Sequence, residues 1–150
     1  MRDLRVCTMK AMKTNRSIPS SAIIPELAYA DVRVAATWLC DAFGFRERLR
    51  IADHRIQLTF GDGAIVVIDG PPVPATEHAS THSVLVRTDD VDRLFERAVA
   101  RDAEIIRRPA DHPYGERQCT LRDPGGHVWT FSQSIADVDP ADWGGELLDR

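Results

Sequence analysis

The sequence predicts an α+β fold in which two βαβββ modules form a cleft-shaped, open mixed β-barrel with the helices outside. Two observations and one physical argument support it. Two amphipathic helical stretches, 31–43 and 90–99, are each preceded by one short apolar strand and followed by three more. Glycine-rich turns separate the last strands of each group. A single such module leaves one sheet face bare, which a second copy can cover.

The first module begins with the apolar strand IIPELAYA (23–30). Asp31 suits the N-cap of the helix that follows, and Gly44 suits a left-handed C-cap. Apolar residues then alternate with polar ones through two strands, and Gly61-Asp62-Gly63 turns the chain into the run AIVVID. The predicted strands after the helix are 45–51, 54–60 and 64–69.

The same order recurs after a linker rich in proline and threonine (70–81). A strand over 82–88 leads to a helix capped by Asp89 or Asp90, with apolar residues on one face. Three strands follow, over 103–109, 114–122 and 126–133. The predicted organisation is a basic extension over 1–20, a domain over 21–134 with modules at 23–70 and 82–133, and a tail over 135–150.

Composition restricts the partners. The formal net charge is −4, and because the extension is basic, the rest of the chain is more acidic still. An acidic body does not favour nucleic acid, which requires a basic surface. No apolar run is long enough for a membrane span. The three cysteines, Cys7, Cys40 and Cys119, are widely spaced and form no C-x-x-C pair, so we expect reduced thiols and a cytoplasmic protein.

The segments HSVLVRTDDVDRLFERAVARDAE and YGERQCTLRDPGGHVWTFSQ, within paired modules, resemble the vicinal oxygen chelate superfamily of glyoxalases, bleomycin resistance proteins and extradiol dioxygenases. The resemblance covers about Ile23 to Gln133. Its most telling part is Asp123-Pro124-Gly125-Gly126 before the last strand, where members commonly place D-P-x-G. The resemblance also implies a homodimer, because members often complete their clefts across a two-fold axis.

Enzymes of this superfamily hold a divalent metal with up to four side chains, near the start of the first strand and the end of the last strand of each module. The resemblance places His82 and Thr130 at these positions in the second module. Thr130 lies four residues after Gly126, and the same count from Gly63 places Val67 at the last-strand position of the first module. Ile23 or Ile24 takes the first-strand position of that module. One donor in four does not make a site, so we predict no metal cofactor.

The first hypothesis is therefore a metal-free small-molecule-binding protein of the glyoxalase/bleomycin-resistance type that sequesters a drug-like ligand. Strand alternation places Thr130 and Trp129 on opposite faces of the last strand. The ligand position that the resemblance implies makes the Thr130 face the cleft and puts Trp129 in the core. No G-x-S-x-G, phosphate-binding loop or H-E-x-x-H motif is present, and we predict no catalytic residue. The predicted cleft residues are His82, Val84, Gln57, Val67, Asp69, Tyr114, Arg117 and Thr130.

Two alternatives stay open. The protein could be a metal-dependent lyase, isomerase or dioxygenase of the glyoxalase type, with His82, Glu26 and Asp69 as an atypical ligand set. It could also be a structural or regulatory dimer without a ligand. The guest is not identified, because the acidic body favours a cation and Arg117 favours an anion.

Overall fold

The computed structural model describes residues 13–72, 74 and 81–148, which form two copies of the predicted module. Both predicted helices and all eight predicted strands are confirmed. The first module contains β1 (Glu26–Tyr29), α1 (Val32–Phe43), β2 (Arg46–Ile51), β3 (Arg55–Phe60) and β4 (Gly63–Asp69). The second contains β5 (Val84–Arg87), α2 (Val91–Val99), β6 (Glu104–Asp111), β7 (Glu116–Arg122) and β8 (Val128–Ser134).

Each module folds into a four-stranded mixed sheet of the same topology. The strand orders are β1-β4-β3-β2 and β5-β8-β7-β6. In each sheet the first strand runs parallel to the last, and the other neighbours are antiparallel. Within the described residues no ladder joins the two sheets, so they form the walls of an open cleft instead of a closed barrel.

The helix boundaries follow from the predicted caps. Asp31 Oδ1 accepts a hydrogen bond from the Val34 backbone N–H at 3.1 Å, and Gly44 ends α1 with φ = 85°. For α2 the cap is Asp90, whose Oδ1 accepts from the Arg93 N–H at 3.0 Å. No helix in the described part of the chain is long and apolar enough to cross a bilayer.

The core extends from one module into the other. Trp129 and Phe131 on β8 are fully buried, as predicted. The ring of Phe43, at the end of α1, lies 4.7 Å from that of Phe131 and 5.4 Å from that of Trp129, centroid to centroid. The ring at the C-terminal end of α1 therefore reaches the core of the second module.

A buried carboxylate also links the modules. Asp123, in the D-P-G-G turn between β7 and β8, is 3% exposed. Its Oδ2 accepts hydrogen bonds from the Tyr29 hydroxyl at 2.5 Å and from Trp129 Nε1 at 3.0 Å, and its Oδ1 accepts from the His127 N–H at 2.9 Å. Because Tyr29 ends β1, this turn fastens the second module to the first.

These buried groups predict a loss of stability at alkaline pH. Burial first, and then the charge and hydrogen bonding of Asp123, raise the pKa of Tyr29 well above its ordinary 10.0. Burial raises the pKa of Cys119 from 9.0 to about 11. A raised folded-state pKa means that the unfolded chain releases its proton at a lower pH than the folded chain does. The contribution of the group to the free energy of unfolding is therefore complete below the unfolded-state pKa and is lost as the pH rises toward the folded-state pKa.

We therefore expect the free energy of unfolding in urea to be flat up to about pH 9 and then to fall by up to about 1.4 kcal/mol per pH unit for each group. Cys119→Ala should make the fall shallower above about pH 9, and Tyr29→Phe should make it shallower above about pH 10. An unchanged free energy of unfolding between pH 8 and about pH 11 would contradict this expectation.

The C-terminal tail packs on the body of the same chain. The backbone N–H of Ile135 donates to the Gly115 carbonyl at 2.8 Å, and a short 3-10 helix over Pro140–Trp143 follows. The rings of Trp143 and Tyr114 lie 5.2 Å apart. Gly115 has φ = 82°, and a Cβ there would lie 2.4 Å from the Ala136 carbonyl oxygen, so only glycine fits this contact.

Candidate functional site

The candidate site is the side of the second sheet that faces away from the core. Because side chains alternate along a strand, Thr130 lies opposite the buried Trp129 and Phe131, as predicted. The register pairs Thr130 with Thr120 on β7 and with Leu85 on β5. We call this surface the polar face and define it by Glu116, Gln118, Thr120, Thr130, Ser132 and Ser134.

Hydrogen bonds connect the polar face along two neighbouring strands. Gln118 Nε2 donates to Ser132 Oγ at 3.0 Å, and Ser132 Oγ donates to Glu116 Oε1 at 2.8 Å. The Tyr114 hydroxyl donates to Gln118 Oε1 at 2.8 Å. The hydroxyl oxygens of Thr120 and Thr130 are 3.1 Å apart. Hydroxyl and amide groups fixed in this way can donate to and accept from a polar guest.

An apolar groove of about 390 Å³ adjoins the polar face. It lies between β5 and the β3–β4 turn, with Ile23 and Phe60 on one side and Leu85 on the other. Leu85 is 58% exposed. Arg87, which also lines the groove, donates from Nη2 to Ser134 Oγ at 3.2 Å and so connects the groove to the polar face. Apolar walls with a few fixed polar groups are typical of small-molecule sites.

The predicted cleft residues do not all lie together. Thr130 is on the polar face, and Tyr114 reaches it through Gln118. Gln57 lies on the corresponding side of the first sheet, where it is 4% exposed. His82 precedes β5 and is exposed.

Three predicted cleft residues lie on the opposite side of their sheets: Val67, Asp69 and Arg117. Val67 pairs with the buried Ile56 and points to the core. Val84 pairs with the buried Trp129 but also lines the apolar groove, as a cleft residue should. Asp69, two residues after Val67, is an exposed residue on that same side of β4. Arg117 is on the helix side, where it forms ion pairs with Asp92 and Asp111 at 3.0 Å each.

The placement of Val67 is wrong because Gly63 and Gly126 are not equivalent. Gly63 already pairs with Phe60 in the ladder, whereas Gly126 lies inside the longer β7–β8 turn. Counting four residues from each glycine therefore reaches opposite sides of the two sheets. In register, the residue that corresponds to Thr130 is Val66.

The residues present do not fit the metal site of the superfamily. Glu26 forms an ion pair with Arg55 at 2.8 Å. Asp69 lies three residues further along the sheet and on its opposite side, so it cannot converge with Glu26. In the part of the chain that the structure describes, no three His, Cys, Asp or Glu side chains come together. Neutral threonine hydroxyls at the last-strand position are poor substitutes for carboxylates.

The two described cysteines favour packing over nucleophilic chemistry. Burial, and then the charges of Glu47 and Asp41, raise the pKa of Cys40, as burial does for Cys119. A raised pKa keeps the thiol protonated and unreactive. Cys7 lies outside the described residues.

The corresponding side of the first sheet is covered by the end of the extension, which the sequence places outside the fold. Gln57 Nε2 donates to the Ser17 carbonyl at 2.9 Å, and Arg48 Nη2 donates to the Arg16 carbonyl at 2.9 Å. Ser21 Oγ donates to the Asp62 carbonyl at 2.6 Å. We call residues 16–21 the strap.

Comparisons with known proteins agree with this architecture. The family model of the Glyoxalase/Bleomycin resistance protein/Dioxygenase superfamily matches residues 23–131. TioX from Micromonospora sp. ML1 is 35% identical, and the match covers 77% of this chain and 100% of TioX with a TM-score of 0.64. The fosfomycin resistance protein FosX from Listeria monocytogenes is 15% identical over 77% of this chain and 92% of its own, with a TM-score of 0.64, and shares the fold.

An uncharacterized protein from Mycobacterium bovis, Mb0911c, is 34% identical over 50 residues. This match spans only 33% of each chain. The family model, in contrast, covers the first βαβββ module, most of the second and the D-P-G-G turn between β7 and β8. The chain therefore belongs to the glyoxalase/bleomycin resistance protein/dioxygenase superfamily.

Proposed function

We propose that the protein is a metal-free small-molecule-binding protein of the glyoxalase/bleomycin-resistance type that sequesters a drug-like guest. The observation that carries the proposal is the junction of the polar face with the apolar groove at β5. Apolar parts of a guest would lie against Leu85 and Phe60, and its polar groups would bond to Thr120 and Thr130. The recognition would rest on shape and hydrogen bonds.

The chemistry of the polar face supports binding over catalysis. Its hydroxyl and amide groups are neutral and bonded to one another. Its one carboxylate, Glu116, accepts a hydrogen bond from Ser132. Such groups orient a guest but supply neither a nucleophile nor a Lewis acid.

We also propose a homodimer. Ile23 and Leu85 are 82% and 58% exposed at the sides of the groove. A second copy would cover this apolar surface and complete the cleft, and a two-fold dimer is the commonest symmetry among oligomers. Light scattering that shows only monomer at micromolar concentration would remove this part of the proposal.

The binding proposal is tested with a small-molecule library and two variants. A true guest at about one hundred times its Kd should raise the free energy of unfolding by about 2.7 kcal/mol. Thr130→Val and Gln118→Leu should each weaken the binding of that guest by about 3- to 10-fold, because each removes one hydrogen bond worth about 0.5 to 1.5 kcal/mol. Isothermal titration calorimetry measures the change.

The matched control is Thr37→Val, the same substitution at an exposed position of α1. It should leave Kd unchanged. If Thr130→Val and Thr37→Val change the Kd equally, the guest does not bind at the polar face. If no compound in the library stabilises the protein, a dimer without a ligand is favoured.

A further inference from the structure

We propose that Arg48 and Gln57 form a second binding site, for an oxyanion such as a carboxylate, phosphonate or sulfonate, and that the strap occupies this site in the free chain. The site lies on the first sheet, whereas the polar face and its groove belong to the second sheet and the gap between the sheets. The inference therefore stands or falls separately from the proposed function.

Gln57 is a polar side chain in a buried setting. It is 4% exposed, on the same side of the sheet as Val66, its partner on β4, which is 3% exposed. A buried amide is costly unless its donors and acceptors are satisfied. Its Oε1 accepts from Arg48 Nη1 at 2.5 Å, and its Nε2 donates to the Ser17 carbonyl at 2.9 Å.

Arg48 completes the arrangement. Its second terminal nitrogen, Nη2, donates to the Arg16 carbonyl at 2.9 Å. One guanidinium N–H and one amide N–H thus bind two oxygen atoms from consecutive residues of the strap. Two adjacent acceptor oxygens are also what a carboxylate or phosphonate presents to such a pair of donors.

The charge of the site favours an anion over the strap. None of the ion pairs among the described residues includes Arg48, so no carboxylate in that part of the chain neutralises it. A guanidinium bonds more strongly to a charged oxygen than to a neutral carbonyl. The two backbone oxygens of the strap are therefore weaker partners for Arg48 than an oxyanion would be.

The strap has few other anchors. Pro19 is buried, and Ser21 bonds to Asp62, but Ile18 between Ser17 and Pro19 is 53% exposed. A segment held in this way can leave its site at modest cost. The strap and an oxyanion then compete, and the observed affinity is reduced by the fraction of chains in which the strap is bound.

The test uses the full chain with a substitution that releases the strap. The double variant Pro19→Asn/Ser21→Ala places an amide at the buried anchor and removes the bond to Asp62. The matched control, Ile18→Asn/Ser20→Ala, introduces the same two residues at exposed neighbours. Trypsin cleavage after Arg16, followed by mass spectrometry, reports whether the strap is released.

The probe is phenylphosphonate, and the NMR signals of the Gln57 side-chain amide report where it binds. The released variant should bind phenylphosphonate at least about tenfold more tightly than the wild type, because the competing strap is gone. The control should behave as the wild type does. Arg48→Met in the released variant should abolish the gain, whereas Thr130→Val should leave it intact.

A second measurement needs no released variant and so does not depend on its folding. Phenylphosphonate at millimolar concentration should accelerate cleavage after Arg16 in the wild type, and Arg48→Met should remove the acceleration. Cleavage after Arg16 that is already as fast in the wild type as in the released variant overturns the bound strap. Fast cleavage without binding of phenylphosphonate at Gln57 overturns the oxyanion site.

Discussion

Replacing Asp123 with alanine is expected to lower the free energy of unfolding by about 3 to 5 kcal/mol, because each buried group that loses its partner costs about 1 to 3 kcal/mol. The two side-chain groups affected are the Tyr29 hydroxyl and Trp129 Nε1, which both donate to Asp123 Oδ2. They belong to different modules, so the substitution also removes a link between the modules. Urea unfolding followed by tryptophan fluorescence measures the change.

Two controls separate the lost link from the loss of a turn residue. Tyr29→Phe removes one donor and should cost about 0.5 to 1.5 kcal/mol. Asp62→Ala changes an exposed aspartate in the β3–β4 turn and should cost less than about 0.5 kcal/mol. If Asp123→Ala costs no more than Asp62→Ala, the buried carboxylate does not hold the modules together.

Replacing Phe43 with alanine should cost about 3 to 5 kcal/mol, since it deletes a large buried side chain and leaves a cavity. Phe43 is 1% exposed and contacts the rings of Trp38, Phe131 and Trp129 at centroid distances of 4.9, 4.7 and 5.4 Å. The cavity would open between α1 and β8, where the two modules share their core.

The comparison variant is Phe95→Ala on α2, which removes the same side chain from a half-buried position. It should cost less than Phe43→Ala, because less apolar surface is lost and water can fill the space. The number of urea unfolding transitions tests the shared core in a second way. A single urea transition in the wild type is expected, whereas two separate transitions would show that the modules unfold independently and would contradict a shared core.

The elements of the fold could be predicted from the sequence because their signals are local. The Asp31 cap, the Gly44 stop and the alternation around Trp129 each act over a few residues, and each is confirmed. The side on which Val67 lies could not be obtained in this way. It depends on how β4 pairs with β3, and a count that is one residue out of register reverses the side.

The candidate site was predictable only in part. Thr130 was singled out from the family's last-strand position, and strand alternation applied to residues 116, 118 and 120 would have added the rest of the polar face. The strap carries no comparable signal. Its contacts with Arg48 and Gln57 are made by the backbone carbonyls of Arg16 and Ser17. Because every residue has a backbone carbonyl, the side chains of the strap do not predict these contacts.

The most direct test of the central claim is a calorimetric titration of a library guest into metal-depleted protein, repeated after addition of nickel, zinc, iron or manganese. We predict one guest per chain and the same Kd with and without metal, because threonine hydroxyls and the apolar groove supply the contacts. Binding that appears only after a metal is added, or conversion of the guest once it is present, would contradict the account.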